Sequence, residues 1–383
     1  MKTPSSDPML SGSNNRPWLC IVVIAAPLIW AAYFFGSAVV VKEHKDRFVR
    51  WDMIETVQKG DISDHCRPRG REPLPKGVMV KTSNLELQPL WGPVIENNKQ
   101  IGAERSLLTL AVGIKQKKVV NDIVRKFLRG NFTVMLFHYD GVVDEWKNLE
   151  WSSQVIHISA VNQTKWWFAK RFLHPDIVSE YEYIFLWDED IGVENFDPTR
   201  YLMIVKDEGL EISQPALDTV KSDVHHLITA RVSSSRVHRR MYKLRGQGRC
   251  DGHSTAPPCV GWVEMMVPVF SKAAWRCAWH MVQNDLIHAW GLDQLLGYCS
   301  QGDRTRKVGV VDSEYIVHLG LPTLGVIENN QTNSGSRLID TRVNVRQRSF
   351  DEMQIFRQRW RDAVKEDQCW VDPYSTLKNG TPS

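Results

Sequence analysis

Apolar positions along the chain fall into three patterns, and each predicts a different kind of element. The first is a continuous run. From Leu19 to Val41 the sequence LCIVVIAAPLIWAAYFFGSAVVV carries no charge over 23 residues. As a helix it would reach about 35 Å, against a bilayer core of about 30 Å. A cleaved signal peptide has a shorter apolar core and a small-residue cleavage site. This run instead continues into VVVKEHK, which predicts an uncleaved transmembrane anchor. The second pattern alternates short apolar runs with helical stripes. SLLTLAVGIK around Leu107–Ile114 reads as a buried strand, and Gln116–Arg129 carries an apolar stripe at Val119, Val120, Ile123, Val124, Phe127 and Leu128. Strands follow at Asn131–Tyr139, Gln154–Ala160 and Tyr181–Trp187, with a helix at Trp166–Leu173 between the last two. The series predicts an α/β domain with a mainly parallel sheet flanked by helices. The third pattern is the absence of any period. DHCRPRGREPLPKG holds three prolines and two glycines, and such a stretch cannot sustain regular structure.

These patterns divide the chain into a tail (1–18), a transmembrane anchor (19–41), a stem and linker (42–77), one α/β domain (78–375) and a C-terminal tail (376–383). Composition changes the picture little. With 43% hydrophobic and 24% charged residues the chain is of ordinary globular type. A net charge of +4 is too small and too dispersed to argue for a nucleic-acid partner.

Candidate chemistry concentrates at the end of the fourth strand, in YIFLWDEDIGVENFDP. On an extended chain Asp188 and Asp190 point the same way, roughly 6.5–7 Å apart. Two carboxylates at a strand's end can share one hard divalent cation, and such an ion can neutralise the charge developing on a diphosphate leaving group. The plainer alternative is a solvated acidic turn. Asp293, in AWGLDQLLG, is expected at the start of an apolar helix. There it serves either the helix dipole or an acceptor hydroxyl, which it would bind or deprotonate. His318 ends a strand in VGVVDSEYIVHLG and is either a third metal ligand or a structural imidazole; Asp312 in that strand is a weaker candidate. The segment Arg231–Arg249 holds seven Lys or Arg and no acid. It reads as a solvated basic face, with a cation for the diphosphate as the alternative. Most of the fifteen tryptophans lie in periodic apolar segments and read as core; Trp290, beside Asp293, is the candidate for stacking on a sugar.

Orientation rests on two signals that oppose the flanking charge. Lys42, Lys45, Arg47 and Arg50 follow the apolar run and only Lys2 and Arg16 precede it, which by charge alone keeps the domain in the cytoplasm. Against this stand glycosylation acceptors at Asn131, Asn162, Asn330 and Asn379. Outside the apolar run, Cys66, Cys250, Cys259, Cys277, Cys299 and Cys369 form an even set, compatible with up to three bridges in an oxidising lumen.

The segments SLLTLAVGIKQK, NFTVMLFHYDG, KWWFAKRFLHPDIVSEYEYIFLWDEDIGVENFDP, ISQPALD, VEMMVPVFS, WGLDQLLGYC and VGVVDSEYIVHLGLPTLG together resemble a plant domain-of-unknown-function family labelled "lysine ketoglutarate reductase trans-splicing related". More broadly they resemble family A glycosyltransferases. The resemblance implies a GT-A-like, nucleotide-sugar-binding domain on a single-pass type II Golgi membrane protein, with the domain lumenal. It implies Mn²⁺ or Mg²⁺ as cofactor, a nucleotide-sugar donor and a glycan or polysaccharide acceptor. Asp188, Glu189 and Asp190 match the acidic motif that binds metal and nucleotide-sugar, with Asp190 the direct metal ligand and Asp188 facing ribose or metal. His318 matches the late metal-binding histidine and Asp293 the base of inverting members. Val112 and Gly113 would lie beside the nucleotide. Inverting and retaining chemistry both stay open. The main competing expectation is a non-catalytic membrane-anchored scaffold or glycan-binding module of the same fold. An oxidoreductase is disfavoured, since AVGIKQK after the first strand lacks G-x-G-x-x-G. A nucleotide-sugar hydrolase or phosphotransferase would use the same metal site.

Overall fold

A computed structural model describes residues 73–78, 105–245, 248–321 and 341–374. The apolar run 19–41 lies outside the described residues, as do Cys20, Cys66, Asn330 and Asn379. No helix among the described residues is long and apolar enough to cross a membrane.

Nine strands form one sheet. They are β1 (Arg105–Val112), β2 (Phe132–His138), β3 (Ile156–Ser159), β4 (Tyr181–Trp187), β5 (Ile191–Gly192), β6 (Ile212–Leu217), β7 (Val237–His238), β8 (Val269–Ser271) and β9 (Val308–His318). The helices are α1 (Lys117–Phe127), α2 (Lys165–Phe172), α3 (Pro198–Asp207), α4 (Lys272–Met281), α5 (Arg304–Lys307) and α6 (Thr341–Glu366). Spatial order is β3-β2-β1-β4-β8-β6-β9-β5, with β7 also on β9. From β3 to β4 every pairing is parallel, as the apolar runs predict. Beyond β4 the expectation of a mainly parallel sheet fails. β8 inserts antiparallel between β4 and β6, and β5 and β7 run antiparallel to β9, leaving β6–β9 as the one parallel pair of that half among the described strands. The sheet is mixed because the returning strands there have two or three residues and are reached through irregular loops rather than crossover helices.

Side-chain alternation along the strands feeds two cores. Leu108, Leu110, Val112, Phe185 and Trp187 face α1 and α3 in one. Leu107, Phe137, Ile184 and Leu186 join Trp275 and Trp279 of α4 and Phe356 of α6 in the other. Trp166 and Trp275 are core, as their periodicity indicated. Residues 73–78, at the end of the segment read as stem and linker, pack against the domain. Leu74 and Val78 are buried, the Trp370 indole donates to the Pro73 carbonyl at 3.0 Å, and the Gln283 amide donates to the Val78 carbonyl at 2.7 Å.

Two disulfides, Cys250–Cys259 and Cys277–Cys299, close local loops, and Cys369 is disulfide-bonded as well. The basic stretch is largely spoken for. Arg236 meets Asp207 at 2.7 Å, Arg239 meets Glu208 at 2.9 Å, and Arg231 lies over the Tyr315 ring at 3.6 Å. Asp312 is wholly buried. His238 Nδ1 lies 2.8 Å from Asp312 Oδ2 and its Nε2 lies 2.7 Å from the Ile228 carbonyl. Both ring nitrogens face acceptors, an arrangement that favours the doubly protonated imidazole. This clip also receives the Val232 N–H on Asp312 at 2.7 Å and so pins the loop between β6 and β7.

Candidate active site

The carboxyl ends of β4 and β9 meet. Ile191 of β5 pairs antiparallel with His318, and the Leu319 N–H donates to the Asp190 carbonyl at 2.9 Å. That register sets Asp190 Oδ2 3.3 Å from His318 Nε2. The bond to Asp190 raises the His318 pKa above its ordinary value against the opposing effect of burial. The backbone N–H of His318 donates to Ser222 Oγ at 3.0 Å, and its buried Nδ1 has no partner among the described residues.

Asp188 is held differently. Its Oδ1 lies 2.8 Å from the ammonium of Lys165, the first residue of α2. Lys165 is buried and also donates to the Met265 and Met266 carbonyls at 2.7 and 3.1 Å, while the Asp188 N–H donates to Met266 at 2.9 Å. One ammonium thus ties the β4 end to the loop before β8. The Asp188 side chain stays 41% exposed toward the cleft.

Glu189 points to the other side of the strand and is 2% exposed. It accepts from the Gly113 N–H at 2.6 Å and from the Tyr139 hydroxyl. Burial pushes its carboxyl up to about 8, partly opposed by those two bonds. Gly113 is required by contact: a Cβ there would sit 2.5 Å from the Tyr139 hydroxyl. Val112 is fully buried in the core, so its side chain cannot touch a nucleotide. Neither Val112 nor Gly113 is on the cleft wall; Gly113 acts on the site through Glu189.

Asp293 also departs from expectation. It lies in a turn ahead of a short 3-10 helix, Leu296–Cys299, rather than at the start of an α-helix. Ala289 (φ 56°) and Gly291 (φ 89°) are left-handed and break the helical path. Asp293 is not on the cleft wall. Burial raises its pKa, and the neighbouring Gln294 N–H and His226 pull the other way.

The cleft has a volume of about 420 Å³, and its wall includes Lys165, Asp188, Asp190, Glu264, Trp290 and His318. Trp290 is 45% exposed. Its loop is braced from α6, where Glu352 accepts the His288 N–H at 2.8 Å. Sequence reasoning missed Lys165 and Glu264, although both left signals. A lysine on the first turn of a helix opposes the helix dipole, so some other group must hold it. Glu264 is one acid set among Val263, Met265, Met266 and Val267. Burial pushes its carboxyl up to about 7, with His318, Asp188, Asp293 and Lys165 as its charged neighbours.

For a divalent ion the fit is partial. Asp190 and His318 offer a carboxylate oxygen and an imidazole nitrogen at one point, a mixed donor pair that fits Mn²⁺ better than Mg²⁺, which takes oxygen donors. Asp188 is engaged by Lys165, and no group of three His, Cys, Asp or Glu among the described residues is placed to hold a metal ion. The remaining coordination would have to come from a ligand or from water.

Residues 65–366 match the family model "Protein of unknown function (DUF707)", and the chain belongs to that family. No curated protein matches the sequence. Among solved structures, Staphylococcus aureus TarS 1-349 in complex with UDP is similar at 7% identity and a TM-score of 0.33, over 55% of this chain and 60% of that one. The glycosyltransferase GlyE of Streptococcus pneumoniae TIGR4 is similar at 10% identity and a TM-score of 0.31, over 68% of this chain and 64% of that one. In both the match spans less than two thirds of the other protein's length.

Proposed function

We propose that the chain is a metal-assisted glycosyltransferase of the secretory pathway, moving a sugar from a nucleotide-diphosphate donor to a glycan hydroxyl. The observation that carries this reading is the 3.3 Å approach of Asp190 and His318 in a cleft beyond the carboxyl ends of β4 and β9, where open α/β sheets bind their ligands. Asp190 and His318 would hold the Mn²⁺ or Mg²⁺, which when bound supplies positive charge to the departing diphosphate. Asp188, fixed by Lys165, keeps one oxygen for the donor's ribose hydroxyls or for the ion. Glu189 shapes the cleft by joining β1 to β4, and Trp290 offers a half-exposed aromatic face for a sugar ring. Asp293 stands behind the wall as a second-row carboxylate.

The apolar run 19–41 would anchor the protein in the Golgi membrane with the α/β domain lumenal. The disulfides support that compartment, and plant origin, implied by the resemblance, belongs to the same proposal. Calorimetric titration of the full-length protein in detergent with UDP- and GDP-sugars, with and without Mn²⁺, tests the reading. Metal-dependent donor binding that is lost in Asp190→Ala is expected; no binding across the panel overturns it. Endoglycosidase sensitivity at Asn131 or Asn162, both exposed, tests the orientation.

A further inference from the structure

Four carboxylates surround the cleft, and three have partners that account for them. Asp188 is held by Lys165, Glu189 by Gly113 and Tyr139, and Asp190 by His318. Glu264 is the exception. Its Oε2 is buried and has no hydrogen-bond partner among the described residues, yet the residue lies on the cleft wall. A buried, unpaired carboxylate oxygen is costly, and natural proteins seldom leave one without a reason.

The backbone around it is fixed from both sides. The Glu264 N–H donates at 2.5 Å to the side chain of Gln214, a fully buried residue of β6. The next two carbonyls, Met265 and Met266, accept from Lys165. An unpaired acceptor on a rigid wall beside the pair that would hold the donor's diphosphate is placed to receive a hydroxyl.

We propose that Glu264 is the catalytic residue that binds the acceptor hydroxyl and takes its proton, and that transfer inverts the sugar carbon. The inference rests on the glycosyltransferase reading above. As the acceptor oxygen forms its bond to the anomeric carbon, its proton passes to Glu264 Oε2. The bond from that carbon to the β-phosphate oxygen breaks, and its electron pair leaves with the nucleoside diphosphate. No carboxylate is needed as a covalent intermediate, so the configuration is inverted in one displacement.

The test uses the full-length protein, a panel of UDP- and GDP-sugars, and water as acceptor, with the released sugar followed by proton NMR. Wild type should release the sugar first as the anomer opposite to the donor's. Glu264→Gln, nearly isosteric and still able to keep the backbone bond to Gln214, should lower release by about 100-fold or more. Its melting temperature should be unchanged and its nucleotide affinity within about threefold of wild type, since donor binding is assigned to other residues. Glu264→Ala supplied with azide, a nucleophile that needs no base, should recover turnover and form the glycosyl azide. Release with retained configuration overturns the assignment, as do a fully active Glu264→Gln and a loss confined to Asp293→Asn. Failure of the wider reading looks different, because then the wild type itself binds no nucleotide-sugar, and the assignment falls with it.

Discussion

Asp188 and Asp190 are two residues apart and serve the same cleft, but they are held by opposite kinds of partner. Asp188 meets a buried ammonium that also binds two backbone carbonyls. Asp190 meets an imidazole, which can lose its proton and coordinate a metal. A lysine offers donors only and cannot be exchanged for an ion without removing the ammonium that Asp188 and two backbone carbonyls share. The comparison separates scaffolding from exchangeable chemistry: one carboxylate assembles the cleft, and the other is available to a ligand.

Removing the scaffold should have the largest effect on folding. Lys165→Met strands the Met265 carbonyl and leaves Met266 only the Asp188 N–H, and is expected to cost about 1–3 kcal/mol in urea unfolding, with the half-exposed Asp188 contributing the smaller, solvent-screened share. A cost near zero would show that the ammonium does not hold the loop. Asp190→Asn should show the reverse profile, with stability changed by less than about 1 kcal/mol and Mn²⁺ affinity in the presence of UDP reduced about tenfold or more. Equal metal affinity in Asp190→Asn and wild type would erase the distinction.

A subtler test reaches the same site through the loop that carries Ser222. Burial pushes His238 down, but the bond and charge of Asp312 and the Ile228 carbonyl outweigh it and raise the pKa above the ordinary value. A raised histidine stabilises fully below its unfolded pKa of about 6.5 and loses that contribution as pH climbs through the folded value. His238→Gln should therefore cost about 1–2 kcal/mol at pH 5.5 and clearly less at pH 8.5. A cost independent of pH would mean that the ring is neutral in the fold.

Much of the parallel half was legible. β1, α1, β2 and β4 are long and strongly periodic, and their predicted bounds hold to within about two residues. The second half was hidden for identifiable reasons. β6 contains Pro215, a residue that normally argues against an inner strand. The sheet accommodates it at a register shift between Pro215 and Ala216. β8 has three residues, too few for any period. Within the cleft, the strand-end positions of Asp188, Asp190 and His318 were legible because strand ends and acid spacing are local properties. Lys165 and Glu264 act through contacts across 23 and 50 positions of sequence, Lys165 to Asp188 and Glu264 to Gln214, and no pattern in one chain displays that. Asp293 was misplaced because apolar spacing suggested a helix that the left-handed Ala289 and Gly291 interrupt.

The brace from α6 carries a practical consequence for anyone handling this protein. Glu352 reaches back to His288, and a Cβ at Gly291 would fall 2.9 Å from Met353, so the wall bearing Trp290 is moulded against a segment sixty residues downstream. A shortened version that stops before the helix would lose the backing of that wall together with Phe356, which the helix sends into the core beneath the parallel strands. Trimming from the carboxyl terminus would therefore disturb the Trp290 wall and the core beneath the sheet together, and affinity tags belong at the other end.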